Sequence, residues 1–250
     1  MDPLIPVVIA GAALAGFVQG LSGFGFSLTA MSLWAWTLDP RLAVALAVFG
    51  GLCGQLFSAF TVRRGFSLRR LAPFLAGGLA GLPLGLMVLP RLDVPLFKGL
   101  LGLLLVVVCP LMFFSSRLPA VTRGGRLGDG LAGAAGGFMG AMGGFTGVVP
   151  TLWCTVRGFA KEEQRGVIQN FNLAMLLATF AGYLATGIVA RTMLPLFALM
   201  VPVVLLPSLL GARLYAALSE TAFRKVLLGL LTASGAALLV SAVPQLLRRL

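Results

Sequence analysis

The sequence predicts an all-α polytopic membrane protein, and three observations predict it. Apolar residues make up 59% of the 250 residues and charged ones only 10%, whereas a soluble domain of this size carries about 25% charged residues. The charges that exist separate eight long uncharged runs, 3–38, 42–62, 71–90, 99–116, 130–156, 166–190, 192–212 and 226–247. Each has the roughly 20 residues a transmembrane helix needs. The chain also repeats itself, which divides a single transmembrane domain over 1–250 into two homologous halves, about 3–116 and 128–247, joined by a linker at about 117–127.

The first run is too long for one crossing. Its 36 residues would make a helix of about 54 Å at ~1.5 Å per residue, against a hydrocarbon core of about 30 Å. The fifth run is also long and is rich in glycine. Both carry a glycine cluster near their centre, Gly20-Leu21-Ser22-Gly23-Phe24-Gly25 and Gly140-Ala141-Met142-Gly143-Gly144-Phe145-Thr146-Gly147. Glycine costs about 1 kcal/mol relative to alanine inside a helix and permits sharp turns, so both runs are expected to break there.

The clusters are in register. Gly16-x3-Gly20-x2-Gly23 matches Gly136-x3-Gly140-x2-Gly143, and Leu96-Phe97-Lys98 matches Ala222-Phe223-Arg224. Pro73 and Pro195 fall between these matches in their respective halves. Internal symmetry of this kind is common in transporters. Gly77-x3-Gly81-x3-Gly85 has no such counterpart and reads as a helix-packing seam.

Charge placement orients the runs. If all eight cross, ten Lys/Arg fall on one side and nine on the other, which is no bias. If the first run of each half is a re-entrant hairpin, thirteen fall on one side and six on the other, as the positive-inside rule requires. Each half is then a glycine-broken hairpin plus three transmembrane helices, and an odd number of crossings makes the halves inverted repeats. The Arg-rich loops 63–70, 117–126 and 157–165 are expected in the cytoplasm and both termini in the periplasm. Met1-Asp2-Pro3 lacks the basic start of a signal peptide, so no cleavage is expected. The net charge of +12 is accounted for by these loops, without nucleic acid.

The breaks are the candidate site. Broken helices at corresponding positions of two halves point to a transporter binding site, since non-helical backbone at membrane depth must line protein or water. Half-helices starting near Phe24–Ser27 and Thr146–Pro150 would aim free N–H groups and positive dipole ends inward, which favours anions. Pro150 suits a first helical turn. Close helix packing is the competing reading of the same glycines. Gln19, Ser22 and Thr146 lie at the breaks, and Gln169 and Asn172 share a helix face at i and i+3. These amides either donate to an oxyanion or bond another helix. Gln55, alone in its run, reads as a structural partner.

Trp34, Trp36 and Trp153 lie near run ends, where interfacial anchoring is the default, although Trp153 is only three residues past Pro150. Arg157 and Arg165 are candidates to collect anions at the cytoplasmic mouth, besides serving the charge bias. All seven acids, Asp129 among them, lie at run ends or in loops, and the chain has no His. A cation carrier or proton pump normally buries one of these groups; an anion pathway does not. Cys53, Cys109 and Cys154 have neither metal nor redox spacing and read as small hydrophobes. No catalytic, metal or cofactor site is expected.

Gly16-Phe17-Val18-Gln19-Gly20-Leu21-Ser22-Gly23-Phe24-Gly25, together with Gly143-Gly144-Phe145-Thr146-Gly147, Pro150 and Trp153, resembles the TauE/SafE family of sulfite and organosulfur-anion exporters. The stretch from Arg157-Gly158-Phe159 through Gln164-Arg165, Gln169 and Asn170-Phe171-Asn172 is similar to a branch of it. The resemblance covers nearly the whole chain. It implies a secondary transporter in the bacterial inner membrane, moving sulfite, thiosulfate or organosulfonates such as sulfoacetate. Export is expected, because a negative-inside potential drives anions outward; an anion channel or a non-transporting membrane subunit is the alternative. Phe24, Phe26 and Phe145 depart from the family's glycine-rich pattern and are expected to narrow the site or touch an organic part of the substrate. The expected partners are a small anion and the lipid bilayer, and self-association into a homo-oligomer is compatible with the sequence.

Overall fold

A computed structural model describes residues 4–22, 25–61, 65–114, 121, 124–214 and 220–247, with the side chains of 61, 161 and 220–224 left out. The described residues are mostly helical and contain no strand. Among the described residues ten α-helices follow one another: α1 (Leu4–Ser22), α2 (Phe26–Trp34), α3 (Pro40–Thr61), α4 (Leu68–Val88), α5 (Val94–Phe113), α6 (Gly125–Ala141), α7 (Val148–Val156), α8 (Lys161–Ala185), α9 (Leu194–Leu214) and α10 (Glu220–Leu247). Among the described residues, seven helices are long and apolar enough to cross a membrane. Their outward faces carry exposed Leu79, Leu84, Leu206, Leu210, Leu230 and Val240, a surface suited to hydrocarbon.

The elements run in the same order twice: a long helix, a nine-residue helix, then three long helices. The nine-residue helices α2 and α7 are about 14 Å long, less than half of a hydrocarbon core. Each returns along the helix before it. Trp34 Nε1, at the end of α2, donates to Val7 O near the start of α1 (3.1 Å). Arg157 Nη1, just past α7, donates to Gly125 O at the start of α6 (2.9 Å). Both overlong runs are therefore hairpins rather than kinked crossings, broken where the glycines predicted.

Packing between the halves exchanges with the order of the elements. α1 packs on α9 and α6 on α4, so the first helix of each half lies against the fourth of the other. α3 meets α8, and α5 meets α10, each its own counterpart. The α4–α6 seam needs the absence of side chains. A Cβ at Gly77, Gly81 or Gly85 would strike the carbonyls of Gly130, Ala134 and Phe138. The packing role expected for that stripe is the one it has.

Trp34 is a correction. It is fully buried in the central core, with its N–H on Val7 O and its ring edge-on to Phe26, because α2 ends inside the bundle. Trp36 does sit near a surface, exposed and with Lys98 Nζ 5.7 Å from its ring centre. Cys109 and Cys154 are buried, Cys53 is partly so, and all three are free thiols.

Candidate functional site

The two breaks meet. Gly144, at φ 80°, lies so close to Ser27 that a Cβ there would collide with Ser27 Oγ. Around this contact lies a small cavity of about 30 Å³. Gln19, Gly25–Leu28, Gly51 and Gln55 line it from the first half, and Gly144–Val148, Asn172 and Leu176 from the second. Gly51 and Gln55 are one turn apart on α3, and Asn172 and Leu176 one turn apart on α8. Those two helices begin 121 residues apart, at Pro40 and Lys161, and the lining residues keep that offset. The cavity thus takes equivalent positions from both halves.

Two helix N-termini point their first turns at this space. Gly25 caps α2 with φ 91°, a conformation glycine adopts without strain. The first backbone bond of α2 is Thr29 N–H to Gly25 O (3.0 Å), and that of α7 is Thr151 N–H to Gly147 O (2.9 Å). Phe26, Ser27 and Leu28 therefore keep N–H groups without an intrahelical acceptor, and all three residues line the cavity. Pro150, in the first turn of α7, has no N–H to leave unsatisfied.

Polar side chains complete the lining. Gln19, only 5% exposed, donates from Nε2 to Gly51 O at 3.0 Å. Thr146 Oγ1 donates to Asn172 Oδ1 at 2.9 Å, both buried, which leaves Asn172 Nδ2 as the donor on that wall. Phe26, Leu28, Phe145, Val148 and Leu176 make the rest apolar. No lining residue is charged. Favourable potential for an anion comes from helix ends and amide dipoles alone.

Of the residues singled out from sequence, Gln19, Gly25, Gly144, Phe145, Thr146 and Asn172 come together here. Gly23 and Phe24 lie outside the described residues. Ser22 bonds back to Val18 O within α1 (2.8 Å), and Gly143, at φ 149°, shapes the turn without lining the cavity. Pro150 packs behind it against Gly136. Gln169 is buried but lies off the lining, because the stripe on α8 runs from Asn172 to Leu176 and not back to 169. Gln55, read as structural, and Ser27 and Gly51, not singled out as side-chain positions, are on the lining.

The mouth candidates separate. Asp129, expected at a run end or in a loop, is 3% exposed. It accepts from Trp153 Nε1 at 2.8 Å and lies 3.5 Å from Arg157 Nη1. Trp153 and Arg157 are thereby part of a clamp at the base of the second hairpin rather than of the cavity. Phe159 lies between the guanidinium groups of Arg157 and Arg70 (5.7 and 5.2 Å), and Arg70 pairs with Glu163 at 2.7 Å. Arg165 is exposed, with no partner among the described residues. The described residues contain no group of three His, Cys, Asp or Glu placed to hold a metal ion.

The family model described as sulfite exporter TauE/SafE matches residues 8–238, from α1 into α10 and including every cavity residue. Searches of the curated proteins and of the solved structures give no match.

Proposed function

This chain belongs to the sulfite exporter TauE/SafE family of membrane transporters, and from that premise we propose that it is a secondary carrier for a small sulfur-containing anion. Sulfite, thiosulfate and organosulfonates such as sulfoacetate are the class, and export across the bacterial inner membrane is the direction. The observation that carries this reading is the meeting of the two breaks, with Ser27 against Gly144 at the edge of an uncharged cavity.

Substrate oxygens would accept from the N–H groups of Phe26–Leu28 and from Asn172 Nδ2. Gln19, Gln55, Ser27 and Thr146 would complete the shell, and Phe26 and Phe145 would contact any organic portion. The halves, about 3–116 and 128–247, act as inverted repeats that rock about the cavity and alternate access. The packing of each half's first helix on the other's fourth supports such a movement. In this reading both termini lie in the periplasm and the loop that holds Arg157 and Arg165 lies in the cytoplasm.

Each unit charge leaving a negative-inside cell gains about 2.3 kcal/mol per 100 mV. Export therefore needs no coupling ion, in keeping with a cavity lining without titratable groups. Counterflow in proteoliposomes tests the proposal. Internal unlabelled sulfite should accelerate entry of the labelled anion and saturate. Flux without counterflow would indicate a channel and overturn the carrier.

A further inference from the structure

Gln19, on the cavity lining, carries a polar atom that a bare anion cannot satisfy. Gln19 Nε2 donates to Gly51 O. A backbone carbonyl only accepts, so this bond fixes which end of the amide is nitrogen and which is oxygen. Oε1 is left buried without a donor. The amide lies directly over Gly54, where a Cβ would collide with it, so the side chain is held in place from α3. Asn172 is set the opposite way, with Oδ1 occupied by Thr146 and Nδ2 turned to donate. The lining therefore offers several donors and one unmatched acceptor, and no cationic side chain.

A fully deprotonated oxyanion has only lone pairs to present, and against Gln19 Oε1 they would repel. A doubly charged ion would also be stripped of water with nothing but dipoles in exchange, and the solvation lost grows with the square of the charge. Resting on the reading of this cavity as the anion site, we propose that its ligand is a singly charged oxyanion that carries its own O–H donor, given to Gln19 Oε1. For sulfite this is hydrogen sulfite; among sulfonates it is one with a hydroxyl group near the charged head.

Any pH dependence then belongs to the ligand. α1 and α2 carry no titratable side chain within their described lengths. Arg41 and Cys53 on α3, Cys154 on α7, Arg213 at the end of α9, Lys225 on α10, and the charged start of α8 with its distant Tyr183 all lie off the lining.

Binding to the purified full-length chain, measured by titration calorimetry, tests this with three probes. Apparent affinity for total sulfite should fall about tenfold per pH unit once the ligand's last proton is being lost. At fixed pH, hydroxymethanesulfonate should bind about tenfold tighter than methanesulfonate, and Gln19→Met should close that gap. Sulfite affinity that stays flat with pH, equal binding of the two sulfonates by the unaltered protein, or a requirement for sodium (a cation taking the place of the donor) would each overturn the inference. Absence of binding by every sulfur oxyanion at every pH would overturn the anion-site reading itself, and this inference with it.

Discussion

Three residues separate α1 from α2, whereas six separate α6 from α7. The longer break is closed by its own backbone, with Gly144 N–H on Gly140 O (2.6 Å) and Phe145 N–H on Met139 O (3.4 Å). Tyr183 adds a buried hydroxyl bond to Ala141 O at 2.6 Å, and Thr146 bonds Asn172. Beside the shorter break, the described residues show a bond to the neighbouring helix, from Gln19 Nε2 to Gly51 O. At their bases the hairpins differ again. The first is closed by a buried tryptophan on a carbonyl, the second by Asp129 with Trp153 and Arg157. The repeated feature is a short helix that presents its N-terminus to the cavity. The side chains that hold each short helix are not repeated, so the two halves can be perturbed separately.

The sharpest contrast is between Gly144 and Gly25. Gly144→Leu puts a side chain on a backbone at φ 80° and drives its Cβ into Ser27. Transport should be abolished while the protein still inserts, with about 1–3 kcal/mol of stability lost to strain. Gly25→Ala meets only ordinary contacts, at 3.6 Å from Val18 and 3.8 Å from Ser22. It should cost about 1 kcal/mol in backbone strain and leave measurable counterflow. Equal loss in both variants would break the comparison.

The bases come next. Asp129→Ala leaves the Trp153 N–H and the largely buried Arg157 without their carboxylate. Removing one partner of a buried pair costs about 3–5 kcal/mol, and a separation of 3.5 Å with the Arg157 side chain 15% exposed places this one near the lower end. Trp34→Phe removes a single neutral bond in the first hairpin and should cost about 1–2 kcal/mol. Melting of the two proteins in detergent checks the order.

Within the cavity, Thr146→Val should lose about 1 kcal/mol of stability with its bond to Asn172, and weaken anion binding about tenfold. Ser27→Ala should weaken binding by less than about tenfold at no cost in stability, since Ser27 Oγ has no hydrogen-bond partner among the described residues. Calorimetry beside melting separates the two effects. Smallest of all is Arg165→Gln. An exposed charge steers encounter rather than holding the ligand, so initial rates should fall at low ionic strength, with the dissociation constant changed by less than about twofold.

The breaks were legible because their signal is in the backbone. Too many apolar residues for one crossing, interrupted by glycine at equivalent places, leave few other solutions. The short helices accordingly begin at Phe26 and Val148, within two residues of the expected starts. Which side chains face the cavity depends on how α3 and α8 cross, and spacing within one helix does not report that. Gln169 and Asn172 share a face at i and i+3, yet the lining runs from Asn172 to Leu176, and its counterpart on α3 brings in Gln55. The clamp was hidden for another reason. Asp129 follows a basic stretch and reads as a run end or loop, although Trp153 and Arg157, four residues apart at the end of α7, already outlined a polar edge in need of an acid.

The central claim is that two breaks, one from each half, form one anion site. Ser27→Cys and Thr146→Cys, each in a chain with Cys53, Cys109 and Cys154 replaced by alanine, test it through their rates of modification by a small thiol reagent. The account predicts that one sulfur oxyanion slows both reactions with the same half-maximal concentration. Protection at one position only, or at clearly different concentrations, would contradict a shared site.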